Sequence, residues 1–154
     1  NLVCYVRGTP FLSYFDMKKD FQVTKHNLNQ GAGNAGFTDH CSFAVMDMVP
    51  HGDYLALATD TSRNIIIEFE TGKQVRNLYG HQNDGFSTPK LGWSQNGQYL
   101  YGNTQDASSL VVWDIASATI VDRLEGHGNT IRDLFSSKLS DTVVTTSFDK
   151  KTHI

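Results

Sequence analysis

The 154-residue chain is long enough for one domain with a real core, and its 39 % apolar and 19 % charged residues are ordinary for a globular protein. A net charge of −3 and an isoelectric point near 6.0 argue against nucleic acid as main partner, since phosphate binding calls for clustered Lys and Arg and the densest cationic run, Lys18-Lys19, is answered at once by Asp20. No apolar run approaches the roughly 18 residues of a membrane span, no signal peptide opens the chain, and Cys4 and Cys41 are too few for a disulfide framework and in no metal-ligand spacing, so an intracellular setting is expected, cytoplasmic with the nucleus open.

Thirteen glycines against three prolines, with many Val, Ile, Tyr and Phe, favour a turn-rich β protein. In chain order, "LVCYVRG" and "PFLSYFDM" read as strands and "DFQVTKHNL" as a more polar outer one. "GAGNAG" (Gly31 to Gly36) matches G-x-G-x-x-G, but "FTDHCSFAVMDMV" follows it, a strand pattern where a dinucleotide site needs a helix. It is read as a loop. "PHGDYLALAT" is a hairpin turning at Gly52, and "RNIIIEF" is apolar on consecutive positions, as a strand covered on both faces would be. "KQVRNLY" is polar enough for an outer edge. "LGWSQNGQYLYGN" repeats the hairpin around Asn96-Gly97, followed by "SSLVVWDI" and the outer "TIVDRLE". The closing "SFDKKTHI" reads as a turn and a strand only begun.

The chain repeats itself. "IIIEFETGKQVRNLYGH" (Ile65 to His81) aligns without a gap on "VVWDIASATIVDRLEGH" (Val111 to His127) at an offset of 46 residues, and "GDYLALATD" meets "GQYLYGNTQ" at 45. Four strands per period of about 45 residues is the design of a β-propeller blade.

Gly126-His127, Trp113-Asp114 and "SFDK" resemble the WD40 repeat, and the resemblance spans nearly the whole chain. It implies an all-β fold, a WD40-type propeller segment of about three and a half four-stranded blades: a partial blade over 1–29, blades over 38–79 and 80–125, and a truncated blade over 126–154. Because a propeller closes with typically about four to eight blades, and because the chain opens at Asn1 rather than Met, the rest of the ring is expected from a longer chain or, failing that, from further copies. The resemblance also implies a hydrogen-bonded tetrad within each blade. The third repeat offers His81, Thr104, Asp106 and Trp113, the last offers His127, Ser147 and Asp149, and the second has only His40, Thr59 and Asp60, with Ile67-Glu68 in the Trp-Asp place.

Ser147, His127 and Asp149 are a catalytic triad by name, yet the tetrad accounts for all three, and no G-x-S-x-G elbow, Walker loop or paired acidic motif accompanies them. His26, His40, His51 and His153 show no metal-binding spacing. No cofactor, metal or catalysis is expected. In WD40 propellers one end of the ring binds peptides through the residue after the tetrad Ser/Thr and those three and five after the tetrad His. That implies Phe148, Thr130 and Arg132 here, with Gln105 and Asp60 at related positions. An aromatic beside an arginine has the composition of a binding hot spot, although solvated turns carry such residues too. A protein-binding scaffold is therefore expected, with no nucleic-acid or membrane partner. The alternatives are a non-catalytic subunit reading a modified peptide in an enzyme or chromatin complex and, more distantly, a propeller enzyme.

Overall fold

The computed structural model describes residues 2–29, 42–84, 86, 88–105 and 108–154. The Gly31–Gly36 run, His40, Cys41 and Asp106 lie outside the described residues. The described residues contain no α-helix and form four antiparallel sheets in chain order. The first holds β1 (Leu2–Tyr5), β2 (Phe11–Asp16) and β3 (Gln22–Asn27). The second holds β4 (Val45–His51), β5 (Tyr54–Thr59), β6 (Asn64–Glu68) and β7 (Gln74–Leu78). The third holds β8 (Leu91–Trp93), β9 (Tyr99–Asn103), β10 (Leu110–Asp114) and β11 (Thr119–Leu124). The fourth holds β12 (Ile131–Ser136), β13 (Val143–Ser147) and β14 (Thr152–His153). Every sheet is a simple meander in which each strand pairs with its neighbour in sequence. The architecture is all-β, as the repeat requires, and is consistent with a partial propeller of the WD40 type.

The second sheet shows why consecutive apolar residues are needed. Successive side chains of a strand point to opposite faces. Leu55 and Leu57 of β5, with Ile65 and Ile67 of β6 and Val45 of β4, pack toward the first sheet against Leu12. Ala56, Ala58 and Ile66 pack the other way, against Leu91, Trp93, Leu100 and Trp113 of the third sheet. A third cluster, Leu110, Ile131 and Leu134, joins the third sheet to the fourth. Each boundary between neighbouring sheets thus has its own apolar cluster, and each fully buried Leu or Ile contributes on the order of 1.5–3 kcal/mol. The strands away from these boundaries are polar: β3 is largely exposed, and so is β11.

The first strands of the last three sheets, β4, β8 and β12, lie side by side, with β8 in contact with both of the others. Trp93 Nε1 donates to the Val49 carbonyl at 3.1 Å, pinning β8 to β4. On the other side the approach depends on Gly92, where an added Cβ would fall 2.7 Å from Leu134 Cδ1 and 2.8 Å from Ser136 Oγ. The hairpin after β8 is a turn closed by Gly97 N–H donating to the Ser94 carbonyl at 3.0 Å, with Gly97 at φ +72°. That left-handed backbone suits glycine. The meander places two kinds of connection at opposite ends of the array. Short turns such as β4–β5 and β8–β9 occupy one end. The β5–β6, β7–β8, β9–β10, β11–β12 and β13–β14 connections occupy the other, the loop-bearing end.

Candidate functional site

Beneath the loops, the fourth sheet centres on His127. Its Nδ1 meets Asp149 Oδ2 at 3.0 Å and its Nε2 meets Thr145 Oγ1 at 2.9 Å. Asp149 also accepts the backbone N–H of Gly128 and of Lys151, each at 2.8 Å. Burial works against the Asp149 charge, but those two N–H groups and the imidazole outweigh it and hold the carboxyl well below the usual carboxylate range. The hydroxyl beside His127 is thus that of Thr145. Ser147, expected in that place, instead donates to the Asn129 carbonyl at 2.7 Å and accepts the Asp149 N–H at 3.1 Å. Thr145 and Ser147 share a face of β13, and Thr145, paired with Leu134, lies deeper in the sheet.

The third sheet is built differently at the same spot. Gly102 occupies the position of Thr145, since it pairs with Leu91 as Thr145 pairs with Leu134. It offers no hydroxyl, and a Cβ there would fall 2.9 Å from Trp113 Cζ3. The indole fills the space, stands edge-on to His81 at 5.1 Å between ring centres, and donates through Nε1 to the Tyr79 carbonyl at 2.8 Å. Thr104 exchanges hydrogen bonds with the Gln82 backbone, its Oγ1 accepting the N–H at 3.3 Å and donating to the carbonyl at 3.5 Å. Asp106 is outside the described residues. In the second sheet Thr59 donates to the carbonyls of Thr61 and Arg63, while Asp60 Oδ1 accepts the Ala44 N–H at 2.8 Å. Thr59, Thr104 and Ser147 therefore share one role: each brackets the loop above its strand.

Those loops are tied to one another. Gln105 Oε1 accepts the Asp84 N–H at 2.9 Å, and its Nε2 reaches Asn83 Oδ1 at 3.4 Å. Asn83 in turn donates its N–H to Ser62 Oγ at 3.0 Å and its side-chain amide to the Thr59 carbonyl, crossing to the second sheet. Asn103 Nδ2 donates to the Ile131 carbonyl at 2.9 Å, crossing to the fourth. A polar row runs beside them. Asp47 accepts from the Tyr5 hydroxyl at 3.4 Å and the Leu91 N–H at 3.1 Å, and Lys90 Nζ lies 3.8 Å from Asp47 and 4.0 Å from Asp133. Burial, and then the adjacent Asp47 carboxylate, raise the Tyr5 phenol above its ordinary value and keep it a donor. The row joins β1, β4 and β12 through Lys90, the residue before β8, and so links all four sheets.

On this braced platform three of the residues expected to bind a partner, Thr130, Arg132 and Phe148, come together at one corner. Phe148 N–H donates to the Thr130 carbonyl at 3.2 Å, and the Arg132 guanidinium lies 5.0 Å from the Phe148 ring centre. The ring is 57 % exposed. Gln105 and Asp60 lie apart from that corner, engaged in the loop bonds above. Phe86, 91 % exposed in the β7–β8 connection, is a further aromatic of this end. The only hint of it in the sequence is the extra length after His81. No group of three or more His, Cys, Asp or Glu among the described residues could hold a metal ion. Among the described residues no helix is long and apolar enough to cross a membrane.

No protein-family profile matches the chain. It is similar, at 28 % identity over 116 residues, to the chromatin assembly factor 1 subunit FAS2 homolog of Oryza sativa subsp. japonica, an alignment covering 71 % of this chain and 22 % of that protein. It is also similar, at 35 % identity over 68 residues, to retinoblastoma-binding-like protein E of Dictyostelium discoideum, covering 44 % of this chain and 12 % of that protein. The chain thus spans less than a quarter of the length of these relatives.

Proposed function

We propose that the chain is an interaction scaffold of the WD40-repeat type, which binds a partner protein or peptide on the loop-bearing end of its sheets and performs no chemistry of its own. The observation that carries this reading is the corner of Thr130, Arg132 and Phe148, an aromatic and a guanidinium held together on loops braced across three sheets. Hot spots of protein interfaces favour such residues because a large ring and a planar cation make broad contact at little cost in freedom. A photo-crosslinking residue placed at Phe148 should trap a protein partner in cells, while the same residue at Gln95, in the short turn at the opposite end, should not. Equal trapping at both positions, or none at Phe148, would remove the reading.

A second reading has its own support. The similarity to a chromatin assembly factor subunit favours a non-catalytic subunit of a chromatin complex, in the nucleus, that reads a modified peptide. Such a protein binds a methylated or acetylated peptide more tightly than the unmodified one; a plain scaffold does not distinguish them.

A further inference from the structure

The chain is acidic overall, yet the corner around β12 and the β13–β14 turn carries the opposite charge. Lys150 and Lys151 follow Phe148 in the same turn, and both are exposed, as is Arg132. None of the three makes an ion pair with a described residue. The carboxylates nearby are already engaged. Asp149, between Phe148 and Lys150, is turned inward onto His127, Gly128 and Lys151 backbone N–H. Asp133, next to Arg132 on β12, is answered by Lys90 at 4.0 Å. Among the described residues, the Arg132 guanidinium lies over the face of Phe148, which orients it and leaves its N–H groups for a ligand.

We propose that Arg132, Phe148, Lys150 and Lys151 form the docking site for an acidic protein segment, whose carboxylates meet the cations and whose apolar side chain lies on the Phe148 ring. This rests on the reading of the loop-bearing end as the partner-binding face and adds the chemistry of the partner. Charge complementarity decides the occupant. Arg132, Lys150 and Lys151 cluster at one corner, Lys90 of the same end is answered by Asp47 and Asp133, and Asp60 and Asp84 stand on other loops of that end. A polyphosphate backbone needs a continuous basic track and would meet those carboxylates. A peptide can concentrate its negative charge at one spot and present other side chains elsewhere. An exposed guanidinium pre-held on a ring also loses little freedom when it forms a forked bond to a carboxylate.

The test is fluorescence anisotropy with the full chain and labelled peptides of alternating Glu and Phe. Counterparts carry Gln or Lys in place of Glu, and a short oligothymidylate serves as the nucleic-acid arm. The Glu peptide should bind best, lose affinity as salt shortens the Debye length toward about 8 Å, and lose roughly tenfold or more with Arg132→Gln. Lys150→Asn should weaken it too. Lys150 has φ +65°, a conformation Asn tolerates, so this variant keeps the turn. Circular dichroism confirms that both variants stay folded. Equal binding of the Glu and Lys peptides, indifference to both substitutions, or tighter binding of oligothymidylate would overturn the proposal. If the Gln peptide binds as tightly as the Glu peptide but loses affinity with Phe148→Ala, the acidic partner is wrong and the face remains. If no peptide responds to Phe148→Ala, both ideas fall.

Discussion

Thr145 and Ser147 differ by two positions on one strand face, and that difference separates a side chain that holds His127 from one that holds a loop. Thr145 is buried and its hydroxyl completes the bonding of an imidazole whose other nitrogen is held by Asp149. Thr145→Val keeps the shape and removes the oxygen. It should cost about 1–3 kcal/mol, the usual penalty for stranding a buried partner, whereas Thr146→Val on the exposed face should stay within about 0.5 kcal/mol. Urea denaturation checks both, and equal midpoints for the two variants would show that Thr145 does not hold His127. The sequence could not choose between these hydroxyls. "TTS" offers three in a row, and spacing from Asp149 names a candidate without saying how deep in the sheet it lies; depth is a matter of register against β12. The Arg132–Phe148 pair was legible only through the WD40 resemblance, which implies both positions; what brings them together is the pairing of β12 with β13, Ile131 opposite Ser147.

At the scale of elements, strand identity was readable because it follows from alternation. Three consecutive isoleucines can all be buried only if both faces of the strand are covered, and β6 divides them as that requires, Ile65 and Ile67 to one neighbour and Ile66 to the other. What alternation could not convey is the uneven filling of equivalent places. Gly102 where the next sheet has Thr145, with the Trp113 ring in the vacated space, is a packing solution that no count of periods predicts. Ile66→Ala should therefore destabilise the protein by about 2–5 kcal/mol, as cavity formation in a core does. Val121→Ala on β11, where the residue is 53 % exposed, should shift stability by no more than about 0.5 kcal/mol. Thermal melts of the two variants distinguish them, and similar losses would mean that the outer strand is covered in solution.

For the whole molecule, the loop-bearing end differs from the boundaries below it. Asn83, Gln105, Asn103 and the Tyr5–Asp47–Lys90–Asp133 row cross from sheet to sheet with side-chain bonds, while the apolar clusters meet only pairwise. A surface built on such cross-sheet bonds can present one continuous face although the strands beneath it belong to separate units, as a partner spanning several sheets would require. The order of the sheets along the chain was evident from the 46-residue offset. The bonds that unite them were not, because Asn and Gln in loops look alike whether they face solvent or a neighbour.

Three separate clusters, one at each boundary, also set a clock. Where apolar contacts are uneven, local opening is easiest in the strands that hold the fewest of them. Amide hydrogens should therefore exchange with deuterium in a graded order: fastest in β3 and β14, intermediate in β12 and β13, slowest in β5, β6, β9 and β10, whose side chains lie in the two larger clusters. Mass spectrometry of peptic fragments over seconds to hours would read that order directly. Uniform protection across the chain would mean that the four sheets open together and the clusters act as one. A graded pattern would mean that a partner gripping β12–β14 slows exchange in the sheet that is otherwise among the first to open, so that its arrival is written in the lifetime of those amides before any change of shape.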